Sequence, residues 1–245
     1  MSETPKQVLV DITIAAPIDS VWAALRDPAQ IGNWFGWDAP SLPEEIKYIF
    51  TDNATGDDVS RVLQFGQWED GISERVELTK IAGGTRLRLV RSGGAPIDWT
   101  GVYEDISQGW VTFFQQLRLA LEHHPGERRR TIYLSGASAE GIGEPSRELG
   151  LDAARDLPPG ATYAADLSIG EAISGAVWFR THFQTALTVG QWGNGLLVVT
   201  DMGVSPTRPH GGGSVLVTTY GLEDARFDAL SRAWEAWWSA RYSKV

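Results

Sequence analysis

Two long apolar stripes at helical spacing dominate the sequence and end its two halves. In the first, GWVTFFQQLRLALEHH, apolar residues follow one another at i, i+3, i+4, i+7 and i+11: Trp110, Phe113, Phe114, Leu117 and Leu121. In the second the stripe comprises Phe227, Leu230, Trp234, Trp237, Trp238 and Tyr242. Such a period places these side chains on one face of a helix, and that face needs another element to cover it. The pattern predicts two units, residues 1–124 and 125–245, each ending in a long helix.

The first half supplies strands to cover its helix. QVLVDITIAA alternates with period two, which predicts a strand with Val8, Val10, Ile12 and Ile14 on one face. Pro17 then fits the start of a helix, and Asp27 fits the N-cap of a second, short one. Four further strands are predicted, in EIKYIF, SRVLQFGQW, ISERVELTKI and TRLRLVR, the last two joined as a hairpin at Gly83-Gly84.

The second half repeats this plan loosely. Strands are predicted in RRTIYLSG, TYAADL, SGAVWFRTHF, TALTVGQW, GLLVVTD and SVLVTTYG, with a helical segment in EPSRELGLDAAR and a final helix over residues 222–242. Antiparallel strands followed by a long helix predict an α+β fold for both halves.

Composition excludes several classes of function. The 245 residues carry a net charge of −10, which disfavours nucleic acid and anionic membranes as partners. No cysteine is present, so no disulfide or thiolate metal site is expected, and the absence of a signal-like or membrane-spanning run predicts a cytoplasmic protein. The adjacent His123 and His124 lack metal-ligand spacing, and no phosphate-binding loop or nucleophile elbow occurs. We therefore expect no metal and no cofactor.

Two motifs in the first half carry a family resemblance. One is A-P-x-x-x-V-W-x-A-L-x-D-P-x-x-I-x-x-W-F, from Ala16 to Phe35, and the other is G-W-x-x-x-x-x-x-L-x-x-x-L-E, from Gly109 to Glu122. Both resemble the activator of heat-shock protein 90 ATPase homologue-like family of the START-like (SRPBCC) superfamily. The resemblance implies a helix-grip fold, in which a curved antiparallel sheet wraps a long C-terminal helix and encloses an apolar cavity. For the second half, which lacks the opening motif, a divergent helix-grip unit is expected from strand order and the last helix.

On this fold the aromatic residues are expected to border the cavity. The residues expected to line it are Trp34, Trp37, Trp68, Trp99, Tyr103, Trp110, Phe113 and Phe114, with Trp178, Arg180 and His182 in the second half. Arg61, Glu69, Glu74 and Asp98 are polar candidates for ligand selection. A plain aromatic core and solvent-facing charges explain the same residues, and for each one taken alone that alternative is favoured.

The leading functional hypothesis is the binding of a small hydrophobic molecule in an internal cavity. Two alternatives stay open: an enzyme of the polyketide cyclase or aromatase type, which needs inward-pointing polar residues, and a co-chaperone that stimulates a heat-shock ATPase. A homodimer and a chaperone contact are the protein partners considered. The identity of the ligand does not follow from the sequence.

Overall fold

The computed structural model describes residues 6–67, 71–93, 102–206 and 208–243, apart from the side chains of 67 and 102–106. The predicted site residues Trp68 and Trp99, and the side chain of Tyr103, therefore lie outside the described part, as do Glu69 and Asp98. The chain divides into two compact units, Met1–Glu127 and Arg128–Val245.

The N-terminal unit is an antiparallel sheet with one long helix. Its elements are β1 (Lys6–Ile14), α1 (Ile18–Arg26), α2 (Pro28–Ile31), α3 (Leu42–Ile46), β2 (Ala54–Asp57), β3 (Val62–Gln67), β4 (Ser73–Ile81), β5 (Gly84–Ser92) and α4 (Val102–His123). The strand order is β1-β5-β4-β3-β2, so the first strand pairs with the last strand of a meander. The short helices α1, α2 and α3 lie between β1 and β2 in the sequence.

A bulge in β1 changes which of its residues face the core. The register with β5 shifts between Val8 and Val10, so Val10 and Ile14 are buried while Val8 is 41% exposed. A bulge adds one residue and reverses the alternation beyond it. The prediction that Val8 shares a face with Val10, Ile12 and Ile14 was therefore wrong for Val8.

The segment EIKYIF is helical and not a strand. The helix α3 begins after Ser41, has Pro43 in its first turn, and continues into a π-helical turn at Lys47–Asp52. Ile46 and Phe50 are buried while Tyr48 between them is 56% exposed. The spacing of four between Ile46 and Phe50 fits both periods, and the helical start signal at Pro43 decides between them.

The C-terminal unit has the same plan. Its elements are β6 (Arg129–Ser138), α5 (Pro145–Glu148), α6 (Asp152–Arg155), β7 (Thr162–Leu167), β8 (Glu171–Arg180), β9 (Gln184–Val189), β10 (Gly195–Met202), β11 (Gly212–Tyr220), α7 (Asp224–Ser239) and β12 (Tyr242–Ser243). The strand order is β12-β6-β11-β10-β9-β8-β7, so β6 again pairs with the last strand of a meander.

Both units thus contain a first strand, short helices, an antiparallel meander and a long closing helix. The predicted α+β helix-grip fold in two tandem units is confirmed by this shared strand order. Each unit has its own core, built around Phe114 and Leu117 of α4 in one and around Leu230 and Trp234 of α7 in the other. None of the helices in the described ranges is long and apolar enough to cross a membrane.

Candidate functional site

Four aromatic rings stack in a column inside the N-terminal unit. Phe65 of β3 stacks on Trp110 at 5.3 Å between ring centroids, and Trp110 stacks on Phe114 at 5.4 Å. Phe114 in turn stacks on Trp34 at 5.6 Å. The Trp34 indole is fixed at its end of the column, because its Nε1 donates a hydrogen bond of 2.9 Å to the carbonyl of Ala24. The column therefore joins the sheet, α4 and the chain after α2.

Further rings pack on the column edge-on. Phe50 meets both Trp34 and Phe65 in T-shaped contacts at 5.7 and 5.5 Å. Phe113 contacts Trp110 and also Trp37, which is half-buried. The structure thus brings together five of the predicted site residues, namely Trp34, Trp37, Trp110, Phe113 and Phe114. Stacked and T-shaped pairs at these distances stabilise aromatic clusters beyond the burial of their area.

A buried ion pair lies beside Trp110 of the column. Glu74 of β4 and Arg91 of β5 stand directly opposite each other in the antiparallel register. Arg91 donates from Nε and Nη2 to Glu74 Oε1 at 2.8 and 2.6 Å. The two residues are only 2% and 5% exposed. Both follow the inward phase of their strands, Glu74 with Val76 and Arg91 with Leu89, so the charges face the interior and not solvent.

Both oxygens of the Glu74 carboxylate accept hydrogen bonds. Its second oxygen, Oε2, accepts a hydrogen bond of 3.1 Å from Trp110 Nε1, which ties the ion pair to the aromatic column. Gln64 holds the backbone beside it by donating from Nε2 to the carbonyl of Glu74 and to Ser73 Oγ. Charges taken out of water need such partners, since an unpaired buried charge is strongly destabilising.

Besides Ser92 Oγ, which follows Arg91 in the chain, two buried polar atoms on β5 and near the start of α4 have no hydrogen-bond partner among the described residues. One is Nη1 of Arg91, and the other is the hydroxyl oxygen of Ser107, a residue 3% exposed. Ser107 lies one helical turn before Trp110 on α4. Nearly all buried polar groups in folded proteins are satisfied, so the unused donors of a buried arginine indicate a place for a further polar group.

Arg91 is a site residue that was not among the predicted polar candidates, although the sequence contains a signal for it. In TRLRLVRS, Arg86 and Arg88 alternate with Leu87 and Leu89, and Arg91 continues the leucine phase. Arg86 and Arg88 form ion pairs on the other face of the sheet, with Asp11 as their common partner. Of the predicted polar candidates, Glu74 is part of the interior.

Arg61, another polar candidate, has a local role outside this interior. It binds Asp19 at 2.5 Å and lies over the ring of Trp22 at 5.6 Å. The Trp22 indole also donates to Asp58, so this cluster fastens the β2–β3 turn to α1.

The predicted residues of the C-terminal unit form no comparable interior group. Trp178 is half-buried, and Arg180 and His182 are exposed. Arg180 Nη1 donates to the carbonyl of Leu157 at 3.2 Å, and His182 packs edge-on against Phe183. Arg180 and His182 are thus exposed to solvent, as the alternative interpretation of the sequence expected for charged strand residues.

The C-terminal unit also lacks the charged pair at the matching positions. Arg91 lies opposite Gln7, the second residue of β1, and Thr219 lies opposite Arg130, the second residue of β6. In the neighbouring strand β10, Leu196 pairs with Thr218 of β11. The residue before Leu196, Gly195, therefore lies beside Thr219, the residue after Thr218. Glycine and threonine therefore stand where the N-terminal unit has Glu74 and Arg91.

An open crevice of about 370 Å³ lies at the other end of the N-terminal sheet. It is lined by the β1–α1 connection and by the β4–β5 hairpin, and includes Asp19 and Lys80. Because Asp19 is already paired with Arg61 and the crevice is open, we favour the buried pair as the functional site.

Within the ranges described, no three His, Asp or Glu side chains gather as metal ligands.

Comparisons with known proteins give structural neighbours only. No family model matches the chain, and no curated protein matches it. Among solved structures, DynU16 from the dynemicin biosynthetic locus is 20% identical, with 98% of this chain and 96% of that chain covered and a TM-score of 0.31. The di-domain ARO/CYC BexL from the BE-7585A biosynthetic pathway is 14% identical over 95% of this chain and 92% of that chain, with a TM-score of 0.34.

A third neighbour covers half of the chain. The Aha1 dimer from Colwellia psychrerythraea is 16% identical, covers 50% of this chain and 99% of that chain, and has a TM-score of 0.38. The neighbours thus include an Aha1 protein, as the sequence resemblance suggested, and a di-domain ARO/CYC protein. With TM-scores below 0.5 these likenesses carry no weight for function, which has to be inferred from the residues themselves.

Proposed function

We propose that the N-terminal unit binds a small, mainly apolar molecule beside its aromatic column, with one polar group of that molecule held at Arg91. The observation that carries the proposal is the buried Glu74–Arg91 pair with Nη1 of Arg91 unused. A buried ion pair is weak evidence for stability, because well-packed apolar residues of similar volume are often as stable or more so. A role in binding explains why charges stand at these inward positions.

The aromatic surroundings favour an apolar ligand body. Trp110 donates a hydrogen bond to Glu74, and Phe65 and Phe113 contact the Trp110 ring, so the pair lies beside aromatic side chains. Apolar area removed from water contributes about 25 cal/mol per Å², so about 300 Å² gives about 7 kcal/mol before the costs of association. Useful affinity then needs only one or two polar contacts.

The arrangement favours binding over acid–base catalysis. Among the described residues, the Glu74 carboxylate contacts the column, and it accepts two hydrogen bonds at Oε1 from Arg91 and one at Oε2 from Trp110. A general base takes up a proton, and a protonated Glu74 would leave the buried charge of Arg91 uncompensated. We therefore place the binding hypothesis ahead of a cyclase or aromatase, and the co-chaperone hypothesis has no residue of the described site in its favour.

Ligand titration with tryptophan fluorescence tests the proposal, because Trp110 and Trp34 both belong to the column. We expect naphthalene- and anthracene-type probes to change the emission saturably and to raise the thermal unfolding temperature. A flat fluorescence response and an unchanged unfolding temperature across such a panel would reject the proposal.

A further inference from the structure

The ion pair determines which polar group the site accepts. Arg91 carries a positive charge that Glu74 already neutralises through two short hydrogen bonds. What Arg91 still offers is the N–H donors of Nη1, without net charge on the pair. A second anion brought to this place would leave one uncompensated negative charge in a buried environment, which is costly.

Ser107 lies on the side of α4 that faces the strands carrying this site. Successive helical residues turn by about 100°, so Ser107, Arg118 and Glu122 share one flank of the helix. Glu122 Oε1 on that flank accepts a hydrogen bond from the backbone N–H of Ala15, just after β1. The flank therefore faces β1 and its neighbour β5, the strand of Arg91.

The lengths of the two elements place Ser107 at the correct end of β1. From Glu122 back to Ser107 the helix runs about 22 Å, and from Ala15 back to Gln7 the strand runs about 26 Å. Gln7 is the residue opposite Arg91 in the sheet. These lengths, together with the hydrogen bond of Trp110 to Glu74 one helical turn away, place Ser107 at the end of the unit that holds the ion pair.

We infer that Arg91 and Ser107 together select a neutral oxygen acceptor, such as a ketone or quinone carbonyl, and that Glu74 excludes carboxylates. This inference rests on the proposed function, and it specifies in addition that the polar group of the ligand is uncharged. Guanidinium N–H groups and a hydroxyl both donate to a carbonyl oxygen, which has two lone pairs and accepts both. Replacing Glu74 by a neutral residue should reverse the preference, because Arg91 would then need an anionic partner.

Three probes of nearly equal shape test the inference: 2-acetylnaphthalene, 2-naphthoate and 2-isopropylnaphthalene. For the unaltered protein at neutral pH we expect the ketone to bind at least tenfold more tightly than the carboxylate, and several-fold more tightly than the hydrocarbon. In Glu74→Gln we expect the carboxylate to bind more tightly than the ketone and to raise the unfolding temperature more. Equal affinities of the ketone and the carboxylate for the unaltered protein would overturn the inference, and the proposed function would stand.

A second pair of variants keeps the test valid if Glu74→Gln does not fold. Ser107→Ala should weaken the binding of the ketone several-fold and leave the affinity for 2-isopropylnaphthalene unchanged. Ser92→Ala is the matched control: its hydroxyl is also buried and without a partner among the described residues, but it follows the opposite phase of β5 from Arg91. Equal effects of the two variants on the ketone would contradict the role of Ser107, and failure of all three probes to bind would reject the proposed function itself.

Discussion

At the scale of single residues, the Glu74–Arg91 pair is the most informative feature of the chain. Its donors and acceptors are at 2.6 and 2.8 Å, and both residues are buried between sheet and helix. Each residue of the pair needs the other, because an unpaired buried charge is destabilising. Separately, Nη1 of Arg91 is available as a donor to a ligand.

Removing one partner of the pair should therefore cost more stability than removing both. We expect Arg91→Met alone to lower the free energy of unfolding by about 3–5 kcal/mol, since Glu74 stays buried without its cation. We expect the double variant Glu74→Leu, Arg91→Met to regain part of this loss, and to stay below the unaltered protein by the cost of leaving Trp110 Nε1 without its acceptor, about 1–3 kcal/mol. Urea unfolding followed by fluorescence measures both, and a double variant less stable than Arg91→Met would contradict this expectation.

A second prediction concerns Asp201 in the C-terminal unit. Ser146 donates to this carboxylate from its backbone N and from Oγ, at 3.0 and 2.5 Å, but burial outweighs these bonds and raises the pKa of Asp201 above its ordinary 3.8. The folded state then binds the proton more tightly than the unfolded state, so this group makes the protein less stable as pH rises from 3.8 through the raised pKa.

Asp201→Asn removes this contribution and keeps the shape of the side chain. We expect the free energy of unfolding of the unaltered protein, relative to that of the variant, to fall as pH rises from 3.8 through the raised pKa of Asp201. Urea unfolding at several pH values in that range gives the difference directly. A difference that is constant or rises with pH would show that burial does not dominate at Asp201.

At the scale of elements, the helix α4 connects the sheet with the aromatic column. Phe114 is fully buried and stacks on rings on both sides, whereas Leu121 nearer the end of the helix is only partly buried. We expect Phe114→Ala to lower the free energy of unfolding by about 3–5 kcal/mol and Leu121→Ala to lower it by clearly less. Chemical denaturation of both variants measures this, and equal losses would mean that the column adds no stability of its own.

Elements with a strong period were predictable from the sequence, and local backbone features were not. The hairpin of β4 and β5 and the stripe of α4 follow directly from alternation and helical spacing. The bulge at Val8–Val10 was not predictable, because it is set by pairing with a strand far away in the sequence. EIKYIF was misjudged because its residues fit both periods and only the proline before it favours a helix.

The site was predictable to the same extent. The aromatic members Trp34, Trp110 and Phe114 follow from the resemblance and from helical spacing, and the structure brings them into contact. Arg91 was missed because an arginine in a strand with two outward arginines suggests a solvated face, although its phase is that of the leucines. Only the pairing with Glu74 makes an inward arginine tolerable, and that pairing depends on tertiary structure.

At the scale of the whole molecule, two units share a topology but differ in their interiors. The N-terminal unit has Glu74 and Arg91 at positions where the C-terminal unit has Gly195 and Thr219. The C-terminal core is closed by Trp192, Trp234 and Trp238, all buried. If binding depends on the ion pair, one chain binds one ligand, in the N-terminal unit.

Calorimetric titration of 2-acetylnaphthalene into the unaltered protein and into Glu74→Leu, Arg91→Met tests this dependence on the ion pair most directly. We expect one molecule bound per chain in the unaltered protein, and at least tenfold weaker binding in the double variant at a temperature where unfolding curves show it to be folded. Equal affinity in the double variant, or two molecules bound per chain, would contradict a single site built on Glu74 and Arg91.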